Sequence, residues 1–378
     1  MIYLDNAATT KTYLESAEIA AKYSVDNFFN PSALYSEAVG VFKDIKQARE
    51  TLKQALRIGD GELYFVSGGS EADNTALFST RKPKGSKIVV SIGEHDAIIQ
   101  SANQLKEQGY NVVFAPINKD GSVNEQEFVN LLDDTVSLVS IMHVSNETGA
   151  INDIKKLVKL TRKYAPNAIF HSDGVQAFCK INVNLRSLDV DLYSISGHKI
   201  HAPKGIGALY VKNGVSIKPF VFGGGQEKGM RSGTENTSVI MAFENAVKQN
   251  IATFDEKYSQ KAKYIEQLRA RLVAELPNII TITPELNAAP HILTVAFEGV
   301  RGEVLLHSLE KHNILVGIGS ACSSHHESRF KSLLGLDEAH KDGIVRFSVS
   351  EFNDMAEIET VVLAIKEELS TLTNYQRN

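Results

Sequence analysis

Ala168-Ile169-Phe170-His171-Ser172-Asp173-Gly174-Val175-Gln176 and Leu192-Tyr193-Ser194-Ile195-Ser196-Gly197-His198-Lys199 are the runs that decide the fold. Each is a short apolar stretch, too brief for a typical helix, that gives way to a glycine and a chemically capable side chain. Similar stretches stand at 63–66, 87–92, 112–115, 138–142 and 207–211, making seven strand candidates with 168–171 and 192–195. Helical patterns at 71–79, 96–108, 124–132 and 152–164 separate many of them. This alternation predicts an α/β fold with a mostly parallel seven-stranded sheet and helices on both faces. Gly205 and Gly207 follow Lys199 closely, so the last strand is expected to return as a hairpin.

Beyond residue 250 the pattern changes. A long helix at 254–275 precedes strands at 279–283 and 291–297, a helix near 302–312, a strand at 343–349 and a final helix at 354–371. The expected division is a large domain over 15–250 and a smaller α+β domain built from 1–14 and 251–378. The length, 378 residues, allows roughly two or three domains. No repeat and no flexible linker separates them. A net charge of −5 gives no reason to expect nucleic acid or an anionic membrane as partner. Two cysteines cannot build a disulfide framework, which favours a reducing compartment. No apolar run has the roughly 20 residues that span a bilayer, and no signal-like segment opens the chain, so a cytoplasmic location is expected.

Ligand sites in open α/β sheets lie outside the carboxyl ends of the strands. Asp173 ends one candidate strand and Lys199 follows another. A lysine that bonds an aldehyde and an acid that holds a cationic ring nitrogen together describe a pyridoxal 5′-phosphate (PLP) site. Alone, Asp173 reads as a helix cap and Lys199 as a solvated basic turn. Gln176, three residues beyond Asp173, shares its side of a helical turn and could reach the ring's phenolic oxygen. Ser67-Gly68-Gly69-Ser70-Glu71 follows a strand and opens a helix, which suits a phosphate, although an ordinary turn capped by Ser70 gives the same pattern.

His95 follows the 87–92 strand. It is either a structural hydrogen-bonder or a ring that stacks on an aromatic cofactor and moves protons. Arg346 lies within a strand candidate and could clamp a carboxylate. Cys322 stands in Gly319-Ser320-Ala321-Cys322-Ser323-Ser324, polar surroundings that argue against an inert buried thiol, whereas Cys179 reads as buried. Cys322, His325 and His326 supply only three ligands in one stretch, so no metal is expected. Gly223-Gly224-Gly225 lacks the context of a dinucleotide motif and reads as a close-approach loop.

The chain resembles the cysteine desulfurases, within the class V aminotransferase group of fold-type I PLP-dependent transferases. The resemblance runs through Tyr3-Leu4-Asp5-Asn6-Ala7-Ala8-Thr9-Thr10, Asn30-Pro31-Ser32, Ser67 to Asn74, Glu94-His95 and His143 to Gly149. It continues through Asp173 to Gln176, Ser196 to Lys199, Arg231-Ser232-Gly233-Thr234, Gly319 to Cys322 and Arg346-Phe347-Ser348. It implies that Lys199 bonds the cofactor aldehyde, His95 stacks on the ring, and Asp173 and Gln176 hold the ring nitrogen and the phenolic oxygen. Gly69, Ser70, Ser196 and His198 would hold the phosphate, joined by Thr234 from the neighbouring subunit of a homodimer. Asn146 and Arg346 would bind the substrate carboxylate. Cys322 would take sulfur from L-cysteine as a persulfide, leaving alanine, and pass it to an acceptor protein such as an iron–sulfur scaffold or a tRNA-thiolation protein. Asn6, Ser70 and Gly174 depart from residues frequent in the family, and these changes read as mild; Tyr35 lies where many relatives have a nearby histidine. The segment after Cys322 looks slightly short, which bears on loop reach and acceptor identity. Rival readings are another class V activity, such as an aminotransferase or a selenocysteine lyase, a non-catalytic scaffold, and a cofactor-free cysteine hydrolase.

Overall fold

The structure is a computed structural model that describes residues 1–80, 82–276, 278–318 and 329–375. Its strands, in chain order, are β1 (Ile2–Leu4), β2 (Glu62–Val66), β3 (Lys87–Ser91), β4 (Asn111–Ala115), β5 (Val136–Ser140), β6 (Ile169–Asp173), β7 (Leu192–Ser196), β8 (Gly207–Val211), β9 (Ile279–Thr281), β10 (Ile292–Phe297), β11 (Ile314–Val316) and β12 (Ile344–Ser348).

The seven expected strands form one sheet in the order β2-β8-β7-β6-β5-β3-β4. All neighbours along β7-β6-β5-β3-β4 are parallel. β8 runs antiparallel to both β7 and β2, so the return after Lys199 is the expected hairpin. β5, β7 and β8 are buried at every residue, which explains their near-continuous apolar sequence. The alternation along each strand feeds two cores. Val89, Val139, Phe170 and Ile195 face one side. Ile88, Val90, Leu138 and Leu192 face the other.

Helices cover both faces, and their starts are chemically marked. The Asp153 side chain accepts from the Lys156 N–H, and Asn124 accepts from the Glu127 N–H. The helix Ile154–Tyr164 buries Ile154, Leu157, Val158 and Thr161, one stripe at helical spacing. Two further helices, Leu14–Val25 and Thr237–Ala252, pack against each other and carry little sequence signal. The first buries only Ser16, whose hydroxyl donates to Asn245 Oδ1 at 2.9 Å. The second is buried on most sides, at Glu244 and Asn250 as well as at its apolar residues, and presents no clean stripe.

A separate core gathers Leu4, Tyr264, Leu268, Leu293, Val295, Phe297, Val345 and Phe347. It lies on the antiparallel sheet β12-β10-β9 and the parallel pair β1-β11. β1 therefore joins the last third of the chain, and the residues just after it lead into the crevice of the large sheet. Asn6 Nδ2 and Ala7 N donate to Ser348 O and Ser348 Oγ at 2.9 and 2.8 Å. Thr10 N and Tyr13 N donate to His198 O and His201 O, both at 3.0 Å.

Candidate active site

Five strands end at one crevice. β2 runs into the turn before the helix Gly69–Ser79, β3 into Glu94 and His95, and β5 into Met142–Glu147. β6 delivers Asp173, and β7 delivers Ser196, His198 and Lys199. These residues, with Ala7, Ala8, Asp73, Gln176, Phe330 and Arg346, line a cavity of about 320 Å³. The structure thus brings together Lys199, His95, Asp173, Gln176, Gly69, Ser70, Ser196, His198, Asn146 and Arg346. A wider cleft of about 870 Å³, lined by Arg57, Cys179 and Lys248, gathers none of them and is not the chemical centre.

One end of the crevice suits an anion. The N–H groups that open the helix Gly69–Ser79 face it, and an aligned helix start is electropositive. A Cβ at residue 69 would come within 2.9 Å of Val175 Cγ2, so glycine keeps this entrance open. Ser196 Oγ is buried without a hydrogen-bond partner among the described residues. Glu71, which would repel an anion, is turned aside. Its Oε2 accepts from Ser67 N at 2.9 Å, and Arg231 Nε donates to its Oε1 at 3.0 Å. Burial and the neighbouring Lys199 hold His198 down to about 3, so it meets a ligand as a neutral ring.

The floor suits a cation. Asp173 is buried, and its Oδ1 accepts from Val175 N at 2.8 Å. Burial raises its pKa, and burial together with the Asp173 charge raises that of Asp73 well above the usual carboxylate range. A cation against Asp173 relieves this cost, because an opposite charge favours the ionised carboxylate. His95 caps the helix Asp96–Glu107: its Nδ1 accepts from Ala97 N at 3.1 Å. The neutral ring therefore carries its proton on Nε2. Lys199 Nζ donates to the carbonyls of Ala7 and Ala8, both at 2.7 Å.

Arg346 occupies the other end. Its Nη1 donates to Asn146 O at 2.7 Å and its Nη2 to Asp5 Oδ1 at 2.9 Å, while Nε is buried without a partner among the described residues. The guanidinium lines the crevice, and its planar fork suits a carboxylate. Asn146 Nδ2 itself donates to Glu147 Oε1 at 2.7 Å.

A class V aminotransferase model matches residues 2–361. The chain belongs to the class V aminotransferase family. It is 34% identical over 395 residues to the cysteine desulfurase IscS of Clostridium botulinum, covering 100% of this chain and 98% of that protein. A solved NifS-like protein superposes with a TM-score of 0.89 at 31% identity, over 98% of this chain and 100% of that one. The structure of SspA in complex with cysteine matches with a TM-score of 0.80 at 28% identity, over 93% of this chain and 99% of that one. Class V aminotransferases are PLP-dependent, and the fold is that of the NifS-like PLP enzymes. The crevice fits that cofactor: an open helix start and an orphaned Ser196 hydroxyl for the phosphate, a buried carboxylate for the ring nitrogen, and a lysine in the same lining.

Two expected residues are not part of this geometry. Thr234 lines a different cavity, with Ser67, Arg231 and Glu235. Cys322, like His325 and His326, lies outside the described residues. Residues 318 and 330, on either side of that segment, both line a small pocket shared with Glu147. Sequence reasoning assigned no role to Asp73, Glu94 or Tyr193. Glu94 Oε1 accepts from Met142 N at 2.6 Å and so ties the β3 and β5 loops together. The glycine at 174 proves to be a strict requirement, because the Tyr193 ring fills the space where a Cβ would stand.

Proposed function

We propose that the protein is a cysteine desulfurase that converts L-cysteine to L-alanine and delivers the sulfur through a persulfide on Cys322. One observation carries the reading: Lys199, Asp173 and Arg346 line a single crevice, which can hold a cofactor and an amino-acid carboxylate side by side. The cysteine desulfurase and NifS-like relatives are the second support.

Lys199 would hold the PLP aldehyde, Asp173 the ring nitrogen, Gln176 the phenolic oxygen, and Gly69, Ser70, Ser196 and His198 the phosphate. When bound, PLP supplies an electron sink for the substrate Cα. The chain's own residues then orient and move protons. Arg346 would anchor the substrate carboxylate, its guanidinium held in place by Asp5 and the Asn146 carbonyl. Lys199 Nζ would take the Cα proton, and His95 Nε2 would hold or give one. The thiolate of Cys322 bonds the substrate sulfur as the carbon–sulfur bond breaks. Thiol plus cysteine thereby becomes persulfide plus alanine, with no external oxidant. Cys179 is no substitute for it as sulfur acceptor, because it is buried and burial pushes its thiol up to about 12.

A homodimer is part of the proposal. Val25, Phe28, Leu34, Tyr35 and Phe42 cluster in sequence and are all more than half exposed on one chain. Thr234 stands apart from its own chain's crevice, as a residue serving a neighbour would. The division into 15–250 and 1–14 with 251–378, a cytoplasmic location and a protein acceptor for the sulfur belong to the same reading. No helix among the described residues is long and apolar enough to cross a membrane.

The test is anaerobic incubation with L-cysteine and a thiol reductant. Native protein and Cys179→Ser should yield one alanine per sulfide. Cys322→Ala should keep the cofactor's spectral response and lose sulfide. Borohydride should fix the cofactor to Lys199. Sulfide at native rate from Cys322→Ala refutes the acceptor, and conversion of L-cysteine to its sulfur-bearing 2-oxo acid in place of alanine favours an aminotransferase.

A further inference from the structure

Lys180 is buried, at 6% exposure, and no carboxylate among the described residues lies within ion-pair distance of it. The charged or titratable groups that act on it are Lys199, Lys261, Arg346 and Cys179, three of them cationic. It also bears on buried His291. Burial, foremost, and these cations hold its pKa well below the ordinary lysine value. Interring an amine in such company is costly unless it makes a specific hydrogen bond. It makes one: Nζ donates to Gln176 Oε1 at 2.7 Å.

Gln176 lines the crevice, and its amide has chemically opposite ends. Its oxygen receives Lys180 and lies 3.2 Å from His291 Nε2. Its nitrogen donates to the Ala7 carbonyl at 2.8 Å, and that carbonyl can only accept. Both constraints turn the same way. With Oε1 occupied, the amide has only its second N–H left to offer a ligand. Lys180 stands four residues after Gln176, in the turn where Ala177 N and Phe178 N both donate to Gly174 O at 2.9 Å, so one tight turn positions both side chains.

We propose that Lys180 is a positioning residue that acts through Gln176, locking the amide so that an N–H, and never the carbonyl, faces the crevice. The ligand so favoured is an anionic oxygen. This rests on the proposed assignment of Gln176 to the phenolic oxygen of PLP and names what fixes its donor end.

The experiment is a pH titration of the holoenzyme's visible absorption band in the native protein, Lys180→Met, Gln176→Leu and the double variant. A donor to the phenolic oxygen favours the less protonated form of the bound cofactor. Its loss should raise the titration midpoint by about one pH unit in Lys180→Met, the scale of one charge-assisted hydrogen bond. The same substitution should add nothing in the Gln176→Leu background. Should Lys180→Met not fold, Gln176→Glu carries the test. It replaces the crevice-facing nitrogen by an oxygen, and the midpoint must rise at least as far as in Gln176→Leu. An unmoved midpoint in Lys180→Met or Gln176→Glu, or equal shifts from Lys180→Met in both backgrounds, overturns the inference. A native protein with no cofactor band overturns the cofactor reading itself, and the inference with it; a native band with unmoved variants overturns the inference alone.

Discussion

Replacing Gly174 by alanine adds one methyl group at the worst-placed position in the crevice floor. That Cβ would stand 2.0 Å from Tyr193 Cε1, 2.1 Å from Cζ and 2.4 Å from Oη. The backbone cannot retreat. Gly174 N donates to Ser194 O, and its carbonyl accepts from Ala177 N and Phe178 N, all at 2.9 Å. The ring must move instead, although it is fully buried and hydrogen-bonded through Oη to His143 Nδ1 at 2.8 Å. Overpacking costs about 1–3 kcal/mol. Stranding a buried hydrogen-bonding partner costs about 1–3 kcal/mol more. The sum is a loss of roughly 2–6 kcal/mol, measured by urea unfolding of the native and Gly174→Ala proteins. In a Tyr193→Leu background, where the ring is gone, the same methyl should cost less than about 1 kcal/mol. Equal costs in the two backgrounds, or a Gly174→Ala protein as stable as the native one, would refute the steric argument.

Arg346→Gln should raise KM for L-cysteine by about 10- to 100-fold, the scale of a charged hydrogen bond, with the cofactor's absorption retained; an unchanged KM removes Arg346 from substrate binding. Glu351 accepts from the Tyr13 hydroxyl and lies 3.2 Å from His201 and 3.0 Å from Lys257. Glu351→Ala leaves the Lys257 charge uncompensated and should cost about 3–5 kcal/mol in urea unfolding. His143 is held down to about 4 by burial, against 6.5 for an ordinary histidine. The unfolded chain binds that proton first. The resulting stability is therefore whole above pH 6.5 and declines as pH falls towards 4, by about 3 kcal/mol. His143→Asn should flatten that part of the profile in urea midpoints taken from about pH 7 to 4.

Much of the large sheet was legible because its strands are buried on both faces and read as apolar runs with glycine-bearing ends. The observed strands differ from the expected ones by only a residue or two at their ends, as with β5 at Val136–Ser140 against 138–142. Lys199, Asp173 and Arg346 could be picked out because their residue types are chemically rare at strand ends or inside strands. Gly174 was visible, but its reason was not: the constraint comes from Tyr193 on the neighbouring strand, and no local pattern encodes that contact. Lys180 was hidden for a related reason. A lysine in a turn reads as solvated, and only tertiary packing shows that this one is buried. The helix Leu14–Val25 gave no signal because it is held by Ser16 and its neighbour helix and has no apolar stripe.

The pairing of Asp5 with Arg346, 341 positions apart, has a consequence for how the molecule is made. Asp5, Asn6 and Ala7 are translated well before Arg346 and Ser348, the partners they bond. The central sheet has all its strands once residue 211 has emerged. The wall that Arg346 and the amino-terminal loop build together must wait. A partly made polypeptide that already holds the finished sheet therefore still lacks the carboxylate clamp proposed for Arg346.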